Sequence, residues 1–413
     1  MVDRDRPIFP DWRDLSCTAS TFRIMKITDI RPTCVAIFRE DGAIARNWVF
    51  VEIDTDAGIT GIGEATTEYH ERAVIAQIES EIKPRLLGMD PTDVERIWQA
   101  GYRDFWWRRG VVHTSAMSGI DQALWDIAGK AAGLPVFKML GGKVREKVRC
   151  YVRSGPEFCG LTLEEKAAAT LEMGFDAFKH GVGDFVEPMD YSRQIDVAVA
   201  DHRLLRKALG PEAALMIDCH GMFDPQSGHR LVEALEPLDM MFVEEVLPME
   251  TIEPTLRLKR DFPGVRIALG ERQMTRWDFR PWFEQQAIDV CQADISHAGG
   301  ISEMMRIANF AEIYGIEMAP HNPYGPVALA ASAHAAAAMP NFLILEHCRL
   351  LPWFDKIQSL AVPFVDGHVD ILELEKRPGL GIELDMEAVR DHVRHVALDD
   401  RRIPKADGSM PLY

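Results

Sequence analysis

The chain has 413 residues, of which 47% are hydrophobic, and its formal net charge is −18. A chain of this length and composition can form two globular domains. The negative charge argues against nucleic acid as a partner, because phosphates require a basic surface. The first residues, MVDRDRPIFPDWRD, have no apolar signal-peptide core, and no stretch is long and apolar enough to span a bilayer, so we expect no membrane partner.

The seven cysteines are scattered along the chain and form no CxxC pair. An odd number without paired spacing fits free thiols in a reducing compartment better than a disulfide framework or a zinc site. We therefore expect a cytoplasmic location.

The N-terminal third of the chain predicts an α+β domain. Residues 1–23 are rich in Pro, Asp and Arg and are interpreted as an extension outside the core fold. Strand patterns follow in KITDIRPTCVAIF and WVFVEIDTDAGITGIGEAT, and then helical patterns that include a long one through Ile120, Leu124 and Ile127. A meander followed by helices predicts one α+β domain over residues 24–148.

From residue 149 to residue 370, short apolar runs alternate with helical sequence. The first two runs end at Arg153 and at Lys179-His180, and the six that follow also end on polar residues. Those six recur every 23 to 27 residues, close to the length of one strand, one helix and two loops. They are Asp218, Glu244, Glu271, Asp294, His321 and Glu346.

Polar residues at the carboxyl ends of successive parallel strands form the active site of a (β/α)₈ barrel. The repeat therefore predicts a barrel with its functional residues on one face. Residues 371–413 return to short strands, turns and an amphipathic helix, and we expect this segment to pack on the N-terminal domain.

Three of the strand-end residues are acids on consecutive strands: Asp218, Glu244 and Glu271. Three carboxylates that converge on one point repel each other unless a cation compensates them. An all-carboxylate set favours Mg²⁺ over zinc, whose sites rely on His and Cys. The alternative is that each acid caps a helix or pairs with an arginine.

Two histidines flank these acids. His220 follows Asp218 by two residues, so on a strand it is expected to face the same side. His321 and Asp294 end neighbouring strands, and a carboxylate bonded to one ring nitrogen raises the basicity of the other. Two histidines at one metal site suit a reaction that removes one proton and donates another.

Several motifs in the chain resemble the enolase superfamily in its mandelate racemase subgroup, and the chain is similar there to the galactonate and related sugar-acid dehydratases. The resemblance spans residues 25 to 413. The matching stretches are GIDQALWDIAGK, MLGGKVREK, DCHG, VEE, GER, QADISHAGGISE, APHNPYGPVALAAS and KADGS.

The resemblance implies a modified TIM barrel, (β/α)₇β, with an α+β N-terminal capping domain that supplies substrate-specificity loops. It also implies proton abstraction next to a carboxylate, through an enediolate that a bound Mg²⁺ stabilises. The implied positions are Asp218, Glu244 and Glu271 for Mg²⁺, the Asp294–His321 dyad as base, and Glu346 as a hydrogen-bond partner of the substrate carboxylate.

The chain departs from the racemases of this subgroup at two places. They carry Lys-x-Lys at the end of the second strand, where the second lysine is a base, whereas this chain has Lys179-His180-Gly181. That departure favours dehydration over racemisation. The second departure is Glu245-Val246 where the family often has Glu-Pro, which changes no ligand.

The sequence therefore predicts dehydration of a galactonate-like aldonate to a 2-keto-3-deoxy sugar acid, with His321 removing the C2 proton and His220 protonating the departing 3-hydroxyl. The opposite C2 configuration would reverse these roles. The substrate-binding candidates are Arg46, Asn47, Trp107 with its neighbour Trp106, Arg153 and Lys179.

Other functions stay open at this point. They are a racemase or epimerase of a 2-hydroxy acid, and a dehydratase of mannonate, gluconate or an aldarate. A metal-dependent hydrolase is expected to use more histidine ligands, and a non-catalytic binding protein has no need of both histidines. We expect a small sugar acid as the ligand and a homo-oligomer as the assembly.

Overall fold

The structure is a computed structural model that describes residues 25–38, 42, 44–155, 158–347, 354, 356–397 and 403–410. The predicted extension over residues 1–23 lies outside the described residues. No helix in the described part of the chain is both long and apolar enough to cross a bilayer.

The N-terminal domain is an antiparallel three-stranded sheet covered by helices. The strands pair in the order β1-β2-β3, as the alternating pattern and the turn at Gly58 predict. The elements are β1 (Ile27–Phe38), β2 (Ile44–Thr55), β3 (Thr60–Glu64), α1 (Glu71–Ala76), a π-helical turn (Gln77–Ile82), α2 (Lys83–Leu86), α3 (Val94–Arg103), α4 (Val111–Ala132) and α5 (Val136–Met139).

Helix α4 lies directly on β3 because both elements carry glycine where they cross. A Cβ atom at Gly63 would lie 1.9 Å from the carbonyl oxygen of Gly119, so neither residue leaves room for a side chain. Gly133 then ends α4 in the left-handed conformation, with φ 65°, which glycine adopts at low cost. The sheet and α4 therefore form one rigid unit.

Eight parallel strands form the barrel that follows. They pair in sequence order from the first to the seventh, and the eighth returns to pair with the first, Leu345 opposite Cys150. The N–H of Leu343 donates to the carbonyl of Met318, which joins the eighth strand to the seventh. The strands are β4 (Lys147–Arg153), β5 (Ala177–His180), β6 (Ala214–Asp218), β7 (Phe242–Glu244), β8 (Ile267–Leu269), β9 (Val290–Cys291), β10 (Glu317–Met318) and β11 (Leu345–Glu346).

Seven helices surround these strands, so the predicted (β/α)₇β barrel with an N-terminal capping domain is confirmed. A short 3₁₀ turn (Glu236–Leu238) extends the third of them. The helices are α6 (Leu163–Glu172), α7 (Tyr191–Leu209), α8 (Pro225–Leu235), α9 (Glu253–Asp261), α10 (Arg276–Glu284), α11 (Gly300–Ile313) and α12 (Pro326–Ala338).

The interior of the barrel is filled rather than open. Each of the eight strands, or the residue next to it, contributes one buried side chain to a single layer. Such layers make the barrel a packed core, so a ligand can enter only at its ends. The layer consists of Tyr151, Ala177, Met216, Phe242, Ala268, Val290, Ala319 and Ile344.

The chain after β11 contacts both domains, and its short strands begin at Gln358, before the boundary predicted at residue 371. Its first hairpin pairs antiparallel with β4, with Val369 opposite Val148. Further on, the N–H of Arg394 donates to the carbonyl of Cys34, so the chain runs beside β1 of the capping domain. The elements are β12 (Gln358–Leu360), β13 (Phe364–Val365), β14 (His368–Asp370), α13 (Ile371–Leu374), β15 (Glu383–Leu384) and α14 (Met386–Asp391).

Two buried acids of the capping domain bind the N-terminal ends of barrel helices. Glu64 accepts hydrogen bonds from the N–H groups of Gly325 and Ala328 at the start of α12. Asp121 accepts from the N–H and the hydroxyl of Ser302 in the first turn of α11. Because the first N–H groups of a helix lack partners within the helix, these carboxylates complete both helices from another domain. Burial raises the pKa of each carboxyl to about 7.

We expect the stability of the protein to fall as pH rises from about 4 to about 7, in part because of Asp121. In this window the folded state retains a proton that an unfolded aspartate, with a pKa near 3.8, has released, so rising pH favours unfolding. One pKa unit corresponds to about 1.4 kcal/mol. Asp121→Asn removes this titration, so urea unfolding should show a smaller loss of unfolding free energy between the two pH limits than in the parent.

The control is Asp104→Asn, which removes an exposed carboxylate from the same domain and should leave the pH dependence of the parent unchanged. An Asp121→Asn protein with the same pH dependence as the parent would show that the Asp121 carboxyl does not titrate in this window.

Candidate active site

The six strand-end residues lie together at the carboxyl edge of the barrel. Asp218, Glu244 and Glu346 are the last residues of their strands, as predicted. The other three lie in the loops just beyond the strand ends, and Asp294 pairs with His321 in an isolated parallel bridge. The prediction that each of these residues ends a strand is therefore wrong for three of the six. Glu271, Asp294 and His321 lie two or three residues beyond the end of their strands.

A cavity of about 360 Å³ lies between this edge and the capping domain. Its volume falls in the range of small-molecule sites, about 300–1,000 Å³. It is lined by Arg46, Glu68, Tyr69, Arg153, Ser154, Lys179, His180, Gly181, Phe185, Asp218, His220, Glu271, His321, Pro323, Tyr324 and Glu346.

Three of these residues form a group that can hold a metal ion. Potential ligand atoms of Asp218, His220 and Glu271 all lie within 4.8 Å of one another. Burial favours the protonated form of Asp218, but the positive charges of His220 and Lys179 outweigh it and lower the pKa of Asp218 to about 2. Asp218 is therefore ionised at neutral pH, as a metal ligand requires.

His220 contacts Asp218 from a loop and not from the strand that the sequence pattern predicts. Strand β6 ends at Asp218, so the alternation of side chains no longer applies two residues later. His220 instead has φ 49°, in the left-handed region, and its Nε2 lies 3.2 Å from an Asp218 carboxylate oxygen. Its side chain is 55% exposed and faces the cavity mouth.

Glu244 lies outside that close group because it pairs with Lys179. The ammonium of Lys179 lies 2.7 Å from Glu244, 3.5 Å from Asp218 and 3.7 Å from Glu346. Burial and the nearby Asp218 raise the pKa of Glu244 to about 8, against the effect of Lys179. The second oxygen of Glu244 is buried and has no hydrogen-bond partner among the described residues.

The donor set fits a hard divalent cation. Carboxylate oxygens such as those of Asp218, Glu271 and Glu244 are the ligand type that Mg²⁺ prefers. The Glu244 oxygen without a hydrogen-bond partner is available to coordinate a metal ion. Lys179 supplies one positive charge to this region, so the acids are compensated only in part. These residues could hold Mg²⁺.

Next to this group, His321 and Asp294 form a hydrogen-bonded pair. Nδ1 of His321 lies 2.7 Å from Asp294, and Nε2 lies 3.0 Å from Glu271. Asp294 also accepts the N–H of Ser296 at 2.6 Å, which fixes its orientation. Burial disfavours the imidazolium, but Glu271, Glu346 and Asp294 outweigh it and raise the pKa of His321 to about 10. This pair has the geometry of an oriented base.

Glu346 is held as an anion beside the pair. The hydroxyl of Tyr151 and the N–H of Asn322 each donate to one of its oxygens at 3.3 Å, and Arg153 lies 3.3 Å from the other. Burial favours protonation of Glu346, but Lys179, His321 and Arg153 outweigh it and lower its pKa to about 2. A hydrogen bond from Glu346 to a substrate carboxylate therefore requires Glu346 to take up a proton, which the arrival of a second anion favours.

The second glutamate of the VEE motif has a separate role. Glu245 has φ 42° and is buried, and Arg272 lies 2.5 Å from its carboxylate. Arg272 also lies 3.9 Å from Glu271, so it ties the loop after β8 to the end of β7. Reasoning from the sequence did not identify Arg272, although the GER motif places it directly after Glu271.

The structure brings three of the five proposed substrate-binding residues to the cavity: Arg46, Arg153 and Lys179. Asn47 does not line it, because successive residues of a strand face opposite sides and its amide bonds Glu71 and the carbonyl of Val396.

Trp107 does not line the cavity either. Trp106 and Trp107 lie in the loop after α3, with side chains 95% and 92% exposed. The structure thus places Asn47 and Trp107 outside the lining of the cavity.

Several lining residues were not identified from the sequence, among them Glu68, Tyr69, Phe185 and Tyr324. Glu68 and Tyr69 lie in the polar stretch TTEYHE after β3. Its position after a strand of the capping domain could have marked it as a candidate substrate-binding loop. Tyr324 follows His321 in the motif APHNPYGP, and its hydroxyl lies 2.8 Å from Nε2 of His297. No sequence pattern marks Phe185.

Two family models match most of the chain. Residues 162–389 match the model described as Enolase C-terminal domain-like, and residues 19–141 match the N-terminal domain of the mandelate racemase / muconate lactonizing enzyme family.

Named relatives match over most of their own length. The chain is 37% identical over 353 residues to a D-galactonate dehydratase of Pectobacterium atrosepticum, which covers 83% of this chain and 90% of that protein. It is 36% identical over 350 residues to a D-galactonate dehydratase of Variovorax paradoxus, with 84% and 91% covered.

A solved structure agrees with the fold over nearly the whole chain. An enolase of Agrobacterium radiobacter, provisionally named a galactarate dehydratase and bound to sodium and L-malate, superposes with a TM-score of 0.84. It is 30% identical, and the match covers 94% of this chain and 99% of that one.

We expect Asp218→Asn to weaken Mg²⁺ binding, measured by isothermal titration calorimetry. The loss should be about tenfold or more, because even residues that only support a metal ligand typically contribute about 10- to 100-fold. Glu244→Gln should weaken binding as well if Glu244 turns from Lys179 to the ion.

The matched control is Glu233→Gln, which removes an exposed carboxylate on α8 and should bind Mg²⁺ like the parent. Parent-like affinity in Asp218→Asn would place the ion elsewhere.

Proposed function

The chain belongs to the enolase superfamily, with the two domains of its mandelate racemase / muconate lactonizing enzyme family, and from that premise we propose that it catalyses the Mg²⁺-dependent dehydration of an aldonate. The relatives named D-galactonate dehydratase support a lyase that acts on a sugar acid. One observation carries the proposal furthest. His321, oriented by Asp294, and His220 line the same cavity. His321 lies 3.0 Å from Glu271 and His220 lies 3.2 Å from Asp218, two carboxylates that suit a divalent ion.

The first step is removal of the C2 proton by His321. Because Asp294 accepts the hydrogen of Nδ1, the other nitrogen is the one available as a base, and it faces the cavity and Glu271. The electrons of the broken C–H bond pass into the adjacent carboxylate and give an enediolate. His321 must be neutral to act, so compensation of the Glu271 charge by a cation would favour activity by lowering the pKa of His321.

The enediolate carries a second negative charge, which positive groups must stabilise. Asp218, Glu244 and Glu271 would hold Mg²⁺, which supplies such stabilisation when bound. Lys179 and Arg153 add positive charge beside Glu346, at the place where the substrate carboxylate is expected. This end of the cavity therefore has the charge distribution that the reaction requires.

The second step is loss of the 3-hydroxyl. His220 donates a proton to this oxygen as the C3–O bond breaks, so that water leaves and an enol forms. The enol then tautomerises to a 2-keto-3-deoxy sugar acid. Substrates of the opposite C2 configuration would exchange the roles of His220 and His321.

Racemisation requires a base on the opposite face of the substrate, and the residues after β5 do not supply one. Gly181 occupies the position where racemases of the subgroup carry their second lysine. Lys179 is buried against Glu244 and Glu346, which stabilise its charged form. We therefore favour dehydration over epimerisation.

The proposal is tested with a library of sugar acids and Mg²⁺. We expect formation of a 2-keto-3-deoxy acid, detected with a keto-acid reagent, from at least one aldonate. Optical rotation measured on the same samples separates an epimerase, which changes the rotation and forms no keto acid. A change of optical rotation without formation of a keto acid would show that the enzyme is an epimerase and not a dehydratase.

His321→Asn should abolish exchange of the C2 proton with solvent deuterium, followed by NMR, because the substitution removes the proposed base. His220→Asn should retain that exchange and lose keto-acid formation, because its role comes one step later. His229→Asn, an exposed histidine on α8, should behave like the parent. Full exchange in His321→Asn would rule the base assignment out.

A further inference from the structure

The capping domain contributes an ion pair to the wall of the cavity. Arg46 lies in β2, and Glu68 follows β3. A guanidinium nitrogen of Arg46 lies 2.7 Å from a carboxylate oxygen of Glu68, and the exposed fractions of the two side chains are 8% and 32%. Both residues line the cavity.

The ring of Tyr324 packs against this ion pair and limits its movement. The guanidinium of Arg46 lies 5.6 Å from the centre of the Tyr324 ring, within the range of a cation–π contact. The Tyr324 hydroxyl in turn lies 2.8 Å from Nε2 of His297, which fixes the ring. Arg46 is therefore packed between Tyr324 and Glu68, with little freedom to follow a ligand.

Every lysine and arginine that lines the cavity has a carboxylate partner. Arg46 has Glu68, while Arg153 has Glu346 at 3.3 Å and Lys179 has Glu244 at 2.7 Å. The last two lie at the end where the substrate carboxylate and a divalent ion are expected. Among the described residues, the part of the cavity wall that the capping domain contributes thus has no uncompensated cation that could bind a second carboxylate of a substrate.

The capping wall also presents an anion. Arg46, with smaller contributions from Arg153 and His321, lowers the pKa of Glu68, so Glu68 is ionised at neutral pH. An ionised carboxylate accepts hydrogen bonds from hydroxyl groups and repels another carboxylate. Glu68 therefore suits the hydroxylated tail of a sugar acid.

We propose that the Arg46–Glu68 pair selects sugar acids with one carboxylate and a neutral polyol tail, the aldonates, over those with a carboxylate at both ends, the aldarates. The inference deepens the proposed function and rests on it for the orientation of the substrate. It makes Glu68 a specificity-determining residue that discriminates through repulsion as well as attraction.

The test compares galactonate with galactarate, two acids that differ only at C6. The parent, loaded with Mg²⁺, should prefer galactonate by roughly tenfold or more in kcat/KM, since contact between two like charges discriminates by at least that factor and the carboxylate is the more exposed member of the ion pair. Glu68→Gln keeps the size of the side chain, removes its charge and frees Arg46. It should reduce or reverse that preference, mainly through a lower KM for galactarate.

Two further variants make the result specific. Glu68→Asp keeps the charge and should keep the preference for galactonate, and loss of the preference in this variant would contradict a role of the charge. Glu79→Gln removes an exposed carboxylate of the same domain and should match the parent. Preference of the parent for galactarate, or an unchanged preference in Glu68→Gln, overturns the inference.

Calorimetric binding of the same two acids to the Mg²⁺-loaded proteins separates this inference from the proposed reaction. Tighter binding of galactonate that Glu68→Gln abolishes supports the selection even if no keto acid forms, in which case only the proposed reaction fails. If the parent binds both acids equally well, or binds neither of them, the inference that it selects aldonates is overturned.

Discussion

Carboxylates that converge in a place with little water need positive charge close by, and this constraint governs the mouth of the barrel. Lys179 lies within 3.7 Å of three of them, Asp218, Glu244 and Glu346. One ammonium cannot compensate them all, so the acids respond differently, with the pKa of Asp218 lowered and that of Glu244 raised. The remaining negative charge makes the mouth suited to a divalent cation and to an acidic substrate that reaches it through the cation.

The two domains divide the work of the cavity. The barrel contributes the acids that could hold a metal ion and the His321–Asp294 pair, while the capping domain contributes Arg46 and Glu68 to the cavity wall. The packed layer inside the barrel closes the route from the other side, so a ligand must contact both walls. The residues of the proposed reaction and those proposed to select the tail of the substrate thus belong to different parts of the sequence.

Much of the barrel could be predicted because its repeat leaves a regular pattern. Asp218, Glu244 and Glu346 were located by the rule that polar residues follow buried strands. The rule was off by two or three residues where a strand ended early, as before Glu271. It also did not predict the direction of the His220 side chain, which depends on the left-handed backbone of that residue. It also gave no information on Glu68, because a wall contributed by another domain depends on how the domains dock, and no local pattern records that contact.

The buried acids that complete α11 and α12 have a consequence for how such enzymes diverge. Glu64 and Asp121 belong to the capping domain, yet the helices that need them belong to the barrel. A barrel combined with a capping domain that lacks acids at these two positions would lose both sets of hydrogen bonds, so the two domains cannot be recombined freely as modules. New substrate preferences in this lineage are therefore expected to arise by point substitution in loops such as TTEYHE, within a pair of domains inherited together.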